Sequence, residues 1–313
     1  MKVLILALIL IVIISGCTGM PDFLQGIFGR PEVKELPPDV IVVENIKTLP
    51  KPPLNAGDRF TITFELVNKD EMKDMSVDVE LFDYGLCNAT GLLLTEWTDI
   101  GGVYNKTYDL SPLETDFIEW SFLAPGNEKI AYLTAKCPIR FKVSYNYNST
   151  SQVVVGVINQ EERMRRLRAG QTITFVPNQT IGRGPIKIYF DFGASLPVVN
   201  KTVLPVFITV EDKGTGLLGK IEKEYLSLKV HENFTNPTTC ERFRDDPYSD
   251  DDYNIYNNTN DIEMIKRKSP LIRCSFEAPD VNIEQTYFFY STIKYSYDLS
   301  YEVDVKVKPL LGI

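Results

Sequence analysis

Side chains of alternating character recur along this chain and set what it can fold into. Phe60, Ile62, Phe64 and Leu66 occupy every second position of a stretch whose other face carries Thr61, Thr63 and Glu65, and a period of two belongs to a half-buried β-strand. The pattern returns at Val77, Val79 and Leu81, at Ile118, Trp120 and Phe122, at Phe141, Val143, Tyr145 and Tyr147, and at Val153, Val155 and Val157. It returns again at Ile186, Ile188 and Phe190, at Val206, Ile208 and Val210, at Leu226, Leu228 and Val230, and at Val303, Val305 and Val307. Clusters of Asn, Asp, Gly and Pro separate these runs, while long helical periodicity is scarce. Strands that bury one face only belong in antiparallel sheets packed face to face. The predicted class is all-β, with two tandem sandwiches at 40–158 and 185–308 and a short tail at 309–313. A chain of 313 residues is long enough for two such cores. Trp120 is expected in the first core as a packing aromatic.

Two echoes point to an internal repeat. Phe122-Leu-Ala-Pro125 resembles Phe276-Glu-Ala-Pro279, and Lys142-Val-Ser-Tyr-Asn-Tyr147 resembles Thr292-Ile-Lys-Tyr-Ser-Tyr297. In each half the Tyr-x-Tyr pair is expected to end a strand, with a valine-rich strand about ten residues later closing a hairpin. Between the halves, over 159–184, lies a connector whose one convincing helix is Gln160-Glu-Glu-Arg-Met-Arg-Arg-Leu-Arg-Ala-Gly170. Glu161 with Arg165 and Glu162 with Arg166 have i, i+4 spacing, and Gly170 suits the end. Its four arginines could meet an acidic partner or lipid headgroups; a solvated connector is the simpler expectation.

The amino terminus predicts where the protein works. A single Lys2 precedes twelve apolar residues, Val3 to Ile14, which as a helix would span about 18 Å against roughly 30 Å of bilayer hydrocarbon. With Ser15-Gly16 before the break, residues 1–16 have the form of a secretory signal peptide. Cys17 directly after that site resembles the lipobox of prokaryotic lipoproteins, which implies that its sulfur is lipidated and becomes the mature amino terminus. Residues 17–39 then form a tether broken by Pro21, Gly26, Gly29, Pro31, Pro37 and Pro38. Phe23, Leu24, Ile27 and Phe28 could dip into the lipid interface as a second anchor; a flexible spacer is the simpler expectation. The expected location is the extracellular face of the cell membrane, held through the lipid on Cys17.

Two further features agree with export. Beyond Cys17 there are four cysteines, and four thiols allow three pairings. Only Cys87 with Cys137 and Cys240 with Cys274 keeps each bond within one half of the sequence. Asn88, Asn105, Asn148, Asn178, Asn200, Asn233 and Asn257 each lie two residues before a threonine with no intervening proline, giving seven glycosylation sequons. Chance would supply roughly two, and such acceptors mark exposed loops and strand ends of secreted proteins.

The stretch Asn55-Ala-Gly-Asp-Arg-Phe-Thr-Ile-Thr-Phe-Glu-Leu-Val-Asn68, followed by Val77-Asp-Val-Glu-Leu81 and the Tyr-x-Tyr segment, resembles the immunoglobulin-like β-sandwich modules of archaeal cell-surface and S-layer-associated proteins, including CARDB-like adhesion modules. The resemblance covers 40–158 and, less closely, 185–308. It implies tandem immunoglobulin-like sandwiches in a structural, adhesive or binding role at the envelope, with an envelope protein, S-layer protein or glycan as partner. It carries over no catalytic residue.

The chemistry-bearing residues are few. Losing residues 1–16 removes one lysine and leaves 32 basic against 42 acidic residues, which argues against nucleic acid as a partner. His231 is the only histidine, so a Ser-His-Asp or Cys-His arrangement would have to pass through it, and nothing around it suggests a nucleophile; a multi-histidine zinc site is excluded by count. Gly214-Thr-Gly-Leu-Leu-Gly219 has no strand-to-helix context for a phosphate loop and is expected to be a turn. The sharpest candidate is the acidic loop with Asp245, Asp246, Asp250, Asp251 and Asp252, whose oxygens could bind calcium; it lacks the glycine and alternating spacing of a tight calcium loop. No cofactor and no catalytic set is expected. The alternative to a non-enzymatic module is an extracellular solute-binding or hydrolytic lipoprotein with a site between the two domains, although a solute-binding chain would show α/β alternation.

Overall fold

The computed structural model describes residues 32–35, 38–91, 93–244 and 247–310. Cys17, the signal-peptide segment 1–16, the tether to residue 31, Asp245 and Asp246 lie outside the described residues. Among those described, no helix is long and apolar enough to cross a membrane.

The regular structure among the described residues is nearly all strand, as the alternation predicts. Its first part comprises β1 (Glu32–Glu35), β2 (Ile41–Leu49), β3 (Leu54–Asn55), β4 (Arg59–Asn68), β5 (Met75–Asp83), β6 (Asn88–Thr90), the short helix α1 (Leu93–Glu96), β7 (Thr98–Ile100), β8 (Val103–Leu110), β9 (Thr115–Leu123) and β10 (Ala135–Ile158). After α2 (Gln160–Arg168) come β11 (Asn178–Ile181), β12 (Ile186–Phe192), β13 (Val198–Val199), β14 (Val203–Asp212), β15 (Lys220–Ile221), β16 (Leu226–His231) and β17 (Thr235–Cys240). The last are β18 (Tyr248–Asp250), β19 (Tyr253–Asn257), β20 (Ile262–Glu263), β21 (Ile272–Glu277) and β22 (Glu284–Lys308).

The large sheet has the order β18-β19-β16-β22-β10-β5-β8-β7, and two separate four-stranded sheets run β2-β4-β9-β6 and β12-β14-β21-β17. The strands of one half match those of the other in sequence order: β2 with β12, β4 with β14, β5 with β16, β8 with β19, β9 with β21, and β10 with β22. The order of the large sheet is therefore the same read from either end. Even the small strands agree, since β3 pairs in parallel with the end of β22 at Val307 and β13 with the end of β10 at Val157. The internal repeat is architectural.

The predicted hairpin after each Tyr-x-Tyr pair does not form. All 24 residues of β10 are antiparallel partners of β22, from Ala135 opposite Val307 to Ile158 opposite Glu284. At about 3.4 Å per residue this two-stranded ribbon is about 80 Å long. Tyr145 lies opposite Tyr297 and Tyr147 opposite Tyr295, so Asn146 and Ser296 mark the centre of an approximate two-fold relation. One part of β10, Arg140 to Tyr145, pairs with β5 of the first half, while Ser151 to Val153 pair with β11. Conversely, β22 pairs through Phe289 to Ile293 with β16 and through Val307 with β3 of the first half. Each half thus sends one long strand into the other. The strand pairing does not divide the chain between 158 and 185.

Each half buries a core between its four-stranded sheet and its part of the large sheet. Trp120 is fully buried, with ring centroids 4.8 Å from Phe64, 5.0 Å from Phe141 and 5.5 Å from Trp97. In the second half Phe276 and Phe289 pack at 5.7 Å and Phe234 meets Phe289 at 4.9 Å. The outer face of the ribbon is polar: Arg140 bridges Asp83 and Glu302, and Lys136 pairs with Asp304. These exposed pairs add little stability, but they keep a long sheet face wet.

Candidate functional site

Near the centre of the ribbon two matching clusters of polar side chains are buried, and sequence reasoning missed both. In the first, Asp70 follows β4, accepts from the Tyr147 hydroxyl at 2.5 Å, and also accepts from the N–H groups of Met72 and Lys73. Burial alone would raise the Asp70 pKa. The Tyr147 hydroxyl and the two backbone donors outweigh it and hold this carboxyl below its ordinary value. Burial, and next Asp70, push the Tyr147 hydroxyl up. In the second cluster Asp212 ends β14. It accepts from the Tyr297 hydroxyl at 2.8 Å, from Arg267 Nη2 at 2.8 Å and from the N–H groups of Gly214 and Leu218. Tyr147 and Tyr297 are the second tyrosines of the two Tyr-x-Tyr motifs, and both carboxylates lie at the ends of corresponding strands, Asp70 two residues after β4 and Asp212 the last residue of β14. The signal was present in the repeat, but only the paired strands reveal its purpose.

These clusters are closed. Ser149 Oγ meets the Tyr295 hydroxyl at 2.8 Å, and Gln179 Nε2 donates to Ser151 Oγ and to the Ile188 carbonyl. Gly184 has φ +119, and a Cβ there would strike Ser149 Oγ and the Tyr295 hydroxyl. Only glycine suits that close approach. Polar groups engaged with one another in this way fix loops to the ribbon.

The cysteines pair as the sequence halves suggested, Cys87 with Cys137 and Cys240 with Cys274. Of the sequon asparagines, Asn88, Asn148, Asn178 and Asn233 are exposed, and Asn105, Asn200 and Asn257 are half-buried. Asn200 is already engaged: it donates to Asp280 and accepts from the N–H of Gln160.

His231 Nδ1 accepts from the N–H of Asn233, and its ring packs edge-on against Tyr253 and Tyr287. It is a turn and packing residue. Asp250 pairs with Lys229 at 2.6 Å, and Asp251 occupies the β18–β19 turn with φ +49. Asp252 contributes its backbone carbonyl to Glu232. Among the described residues no group of three or more His, Cys, Asp or Glu side chains converges as metal ligands would. Gly214 and Gly216 lie in the turn anchored by Asp212, as expected of that glycine-containing stretch.

A different surface stands out at one end of the ribbon. α2 begins directly after β10, capped by Asn159, whose side chain accepts from the N–H of Glu161. The helix does not bridge the halves; it sits beyond the end of β10 that pairs with Glu284. None of its residues is buried. The expected Glu162–Arg166 pair forms at 2.6 Å, whereas Arg165 turns to Glu162 rather than Glu161, and Arg166 also reaches Glu284. Arg165 and Arg166 pull the Glu162 carboxyl down to about 2. A cavity of about 480 Å³ opens beside the helix, lined among others by Arg163, Leu167, Ile173, Leu196 and Pro197.

No family model matches this chain, and no curated protein matches it. Among solved structures it has a likeness to chitinase ChiA74 from Bacillus thuringiensis, at 10% identity over 79% of this chain and 28% of that one, with a TM-score of 0.22. A second likeness is to red sea bream transglutaminase, at 8% identity over 86% of this chain and 31% of that one, with a TM-score of 0.20. The chain spans less than a third of either. Likenesses at this level carry no statement about its fold or activity.

Proposed function

We propose that this protein is a lipid-anchored, non-enzymatic module of the cell envelope, a stiff β-rod that presents a binding or adhesive surface away from the membrane. The observation that carries this reading is the ribbon: 24 paired residues cross both halves without a hinge. Bending between the halves would break hydrogen bonds in mid-strand, so the two sandwiches move as one body. A strut needs that property, whereas an enzyme or solute receptor that closes over its ligand needs the opposite. The strand orders β2-β4-β9-β6 and β7-β8-β5-β10-β22 support the finer reading of immunoglobulin-like sandwiches. Two disulfides and the unburied sequon asparagines suit an oxidising, extracellular setting. The partner is taken to be an envelope protein, S-layer protein or glycan.

The test is the intact mass of the membrane-extracted protein together with fractionation of Cys17→Ser. The expected species lacks residues 1–16, carries a lipid and two disulfides, and moves from the membrane to the soluble fraction when Cys17 is replaced. A membrane species that retains Met1 to Gly16, with the variant pelleting unchanged, would contradict it.

A further inference from the structure

The chain enters the fold from one particular end. β1 runs parallel to β11 with Glu32 opposite Asn178, and β11 runs antiparallel to β10 with Gln179 opposite Val153 and Ile181 opposite Ser151. Glu32 is therefore nearer than Glu35 to the Ile158 end of the ribbon. The end of the ribbon nearer Glu32 is the one where α2 sits. Only about four residues of β10, roughly 13 Å, separate the level of Glu32 from Ile158. Fourteen residues lie between Cys17 and Glu32, a reach of at most about 50 Å. A lipid on Cys17 would keep this end of the molecule closest to the bilayer.

That end carries the right chemistry. At 100° per residue, Arg163, Leu167, Met164 and Arg168 follow one another around about 140° of the α2 surface. Met164 is 43% and Leu167 49% exposed. Two arginines thus flank two uncovered apolar side chains. Arg165 and Arg166 are turned to Glu162 and Glu284, whereas Arg163 and Arg168 form no ion pair among the described residues. The cavity beside the helix has Arg163 at its edge and Leu167, Ile173, Leu196 and Pro197 in its wall. Four of the nine residues of α2 are arginines, in a chain whose net charge is −9. An anionic surface repels most of this molecule and attracts this helix.

We infer that the α2 face bearing Arg163, Met164, Leu167 and Arg168 seats the protein on anionic phospholipid headgroups, standing the ribbon upright on the membrane. This rests on the lipoprotein reading, since the lipid on Cys17 brings the helix to the surface. The arginines meet the headgroups while Met164 and Leu167 enter the interface, as in other interfacial helices.

The test uses the full lipidated chain and its R163Q/R168Q variant on vesicles of zwitterionic lipid, with and without about 30% anionic phospholipid. Hydrogen exchange across 160–170 is the readout of docking, and flotation on zwitterionic vesicles is the readout of the anchor. Docking predicts slower exchange at 160–170 on anionic vesicles only, reversed by high salt and absent in the variant. It also predicts that the variant's preference for anionic over zwitterionic vesicles falls about 30-fold, at about fivefold per arginine. Unchanged exchange at 160–170 on anionic vesicles overturns the docking face, even where flotation upholds the anchor. Failure to float on zwitterionic vesicles overturns the anchor, and the exchange comparison on anionic vesicles still decides the docking face. A circular dichroism spectrum and melting midpoint equal to the parent's establish that the variant is folded.

Discussion

The two halves of this molecule share a strand plan but are stapled differently. In the first, Cys87, next to β6 of a four-stranded sheet, is joined to Cys137 of β10 in the large sheet, so the bond crosses between layers. In the second, Cys240 and Cys274 face each other on neighbouring strands β17 and β21 of one sheet. The polar anchors differ in degree as well. Asp70 is held by one tyrosine and two backbone donors, whereas Asp212 adds an arginine. What the halves keep in common is the ribbon and its tyrosines. The covalent bonds reinforce a layout that paired strands already determine, and their positions were free to diverge.

The largest effect expected from a single substitution lies in the core. Trp120→Ala should cost about 3–5 kcal/mol, and denaturant titration should show the loss in second-half exchange as well as in the first half. Removing either disulfide by double Cys→Ala replacement should cost on the order of 4 kcal/mol, because loops of 50 and 34 residues give similar entropy terms. A much smaller loss for Cys240–Cys274 would show that the intra-sheet bond only duplicates a strand pairing. Asp212→Ala should cost about 3 kcal/mol and Asp70→Ala about 2 kcal/mol, in proportion to the donors each strands; equal losses in urea titration would erase that contrast. The smallest effect is one of pH. Since the folded Asp70 pKa lies below its ordinary 3.8, its stabilisation is complete above that value and is lost as pH falls through the lower folded value. Asp70→Asn should flatten the acid limb of the melting curve below the ordinary carboxyl value of 3.8.

Much of the fold was legible from residue alternation. Phe60 to Leu66, Val77 to Leu81 and Leu226 to Val230 are strands with the expected faces buried, because a half-buried strand writes its period directly into the sequence. The expected hairpins fail on the same alternation. Asn146, Asn148, Ser149 and Thr150 look like turn residues, yet the alternation runs on in phase, with Ser149 and Ser151 buried between Tyr147 and Val153. Those serines are tolerated inside because Tyr295 and Gln179 satisfy them. That compensation comes from segments far away in the chain, so no local window contains it. The Glu162–Arg166 spacing and Gly170 mark α2 as a helix but do not show where it sits. A connector between sequence halves becomes a terminal cap once β10 passes into the second half. The pairing of Tyr147 with Asp70 and of Tyr297 with Asp212 was invisible for a similar reason, since its partners lie 77 and 85 residues apart.

Both tryptophans, Trp97 and Trp120, lie in the first half, so tryptophan fluorescence reports on that half alone. The decisive measurement is urea unfolding of Phe276→Ala followed by this signal, because Phe276 is fully buried in β21 of the second half, off the ribbon. If the continuous β10–β22 pairing makes one rigid body, the fluorescence midpoint falls together with that of the second half, in a single transition. A fluorescence midpoint unchanged from the parent, with the second half unfolding earlier by itself, would contradict the account.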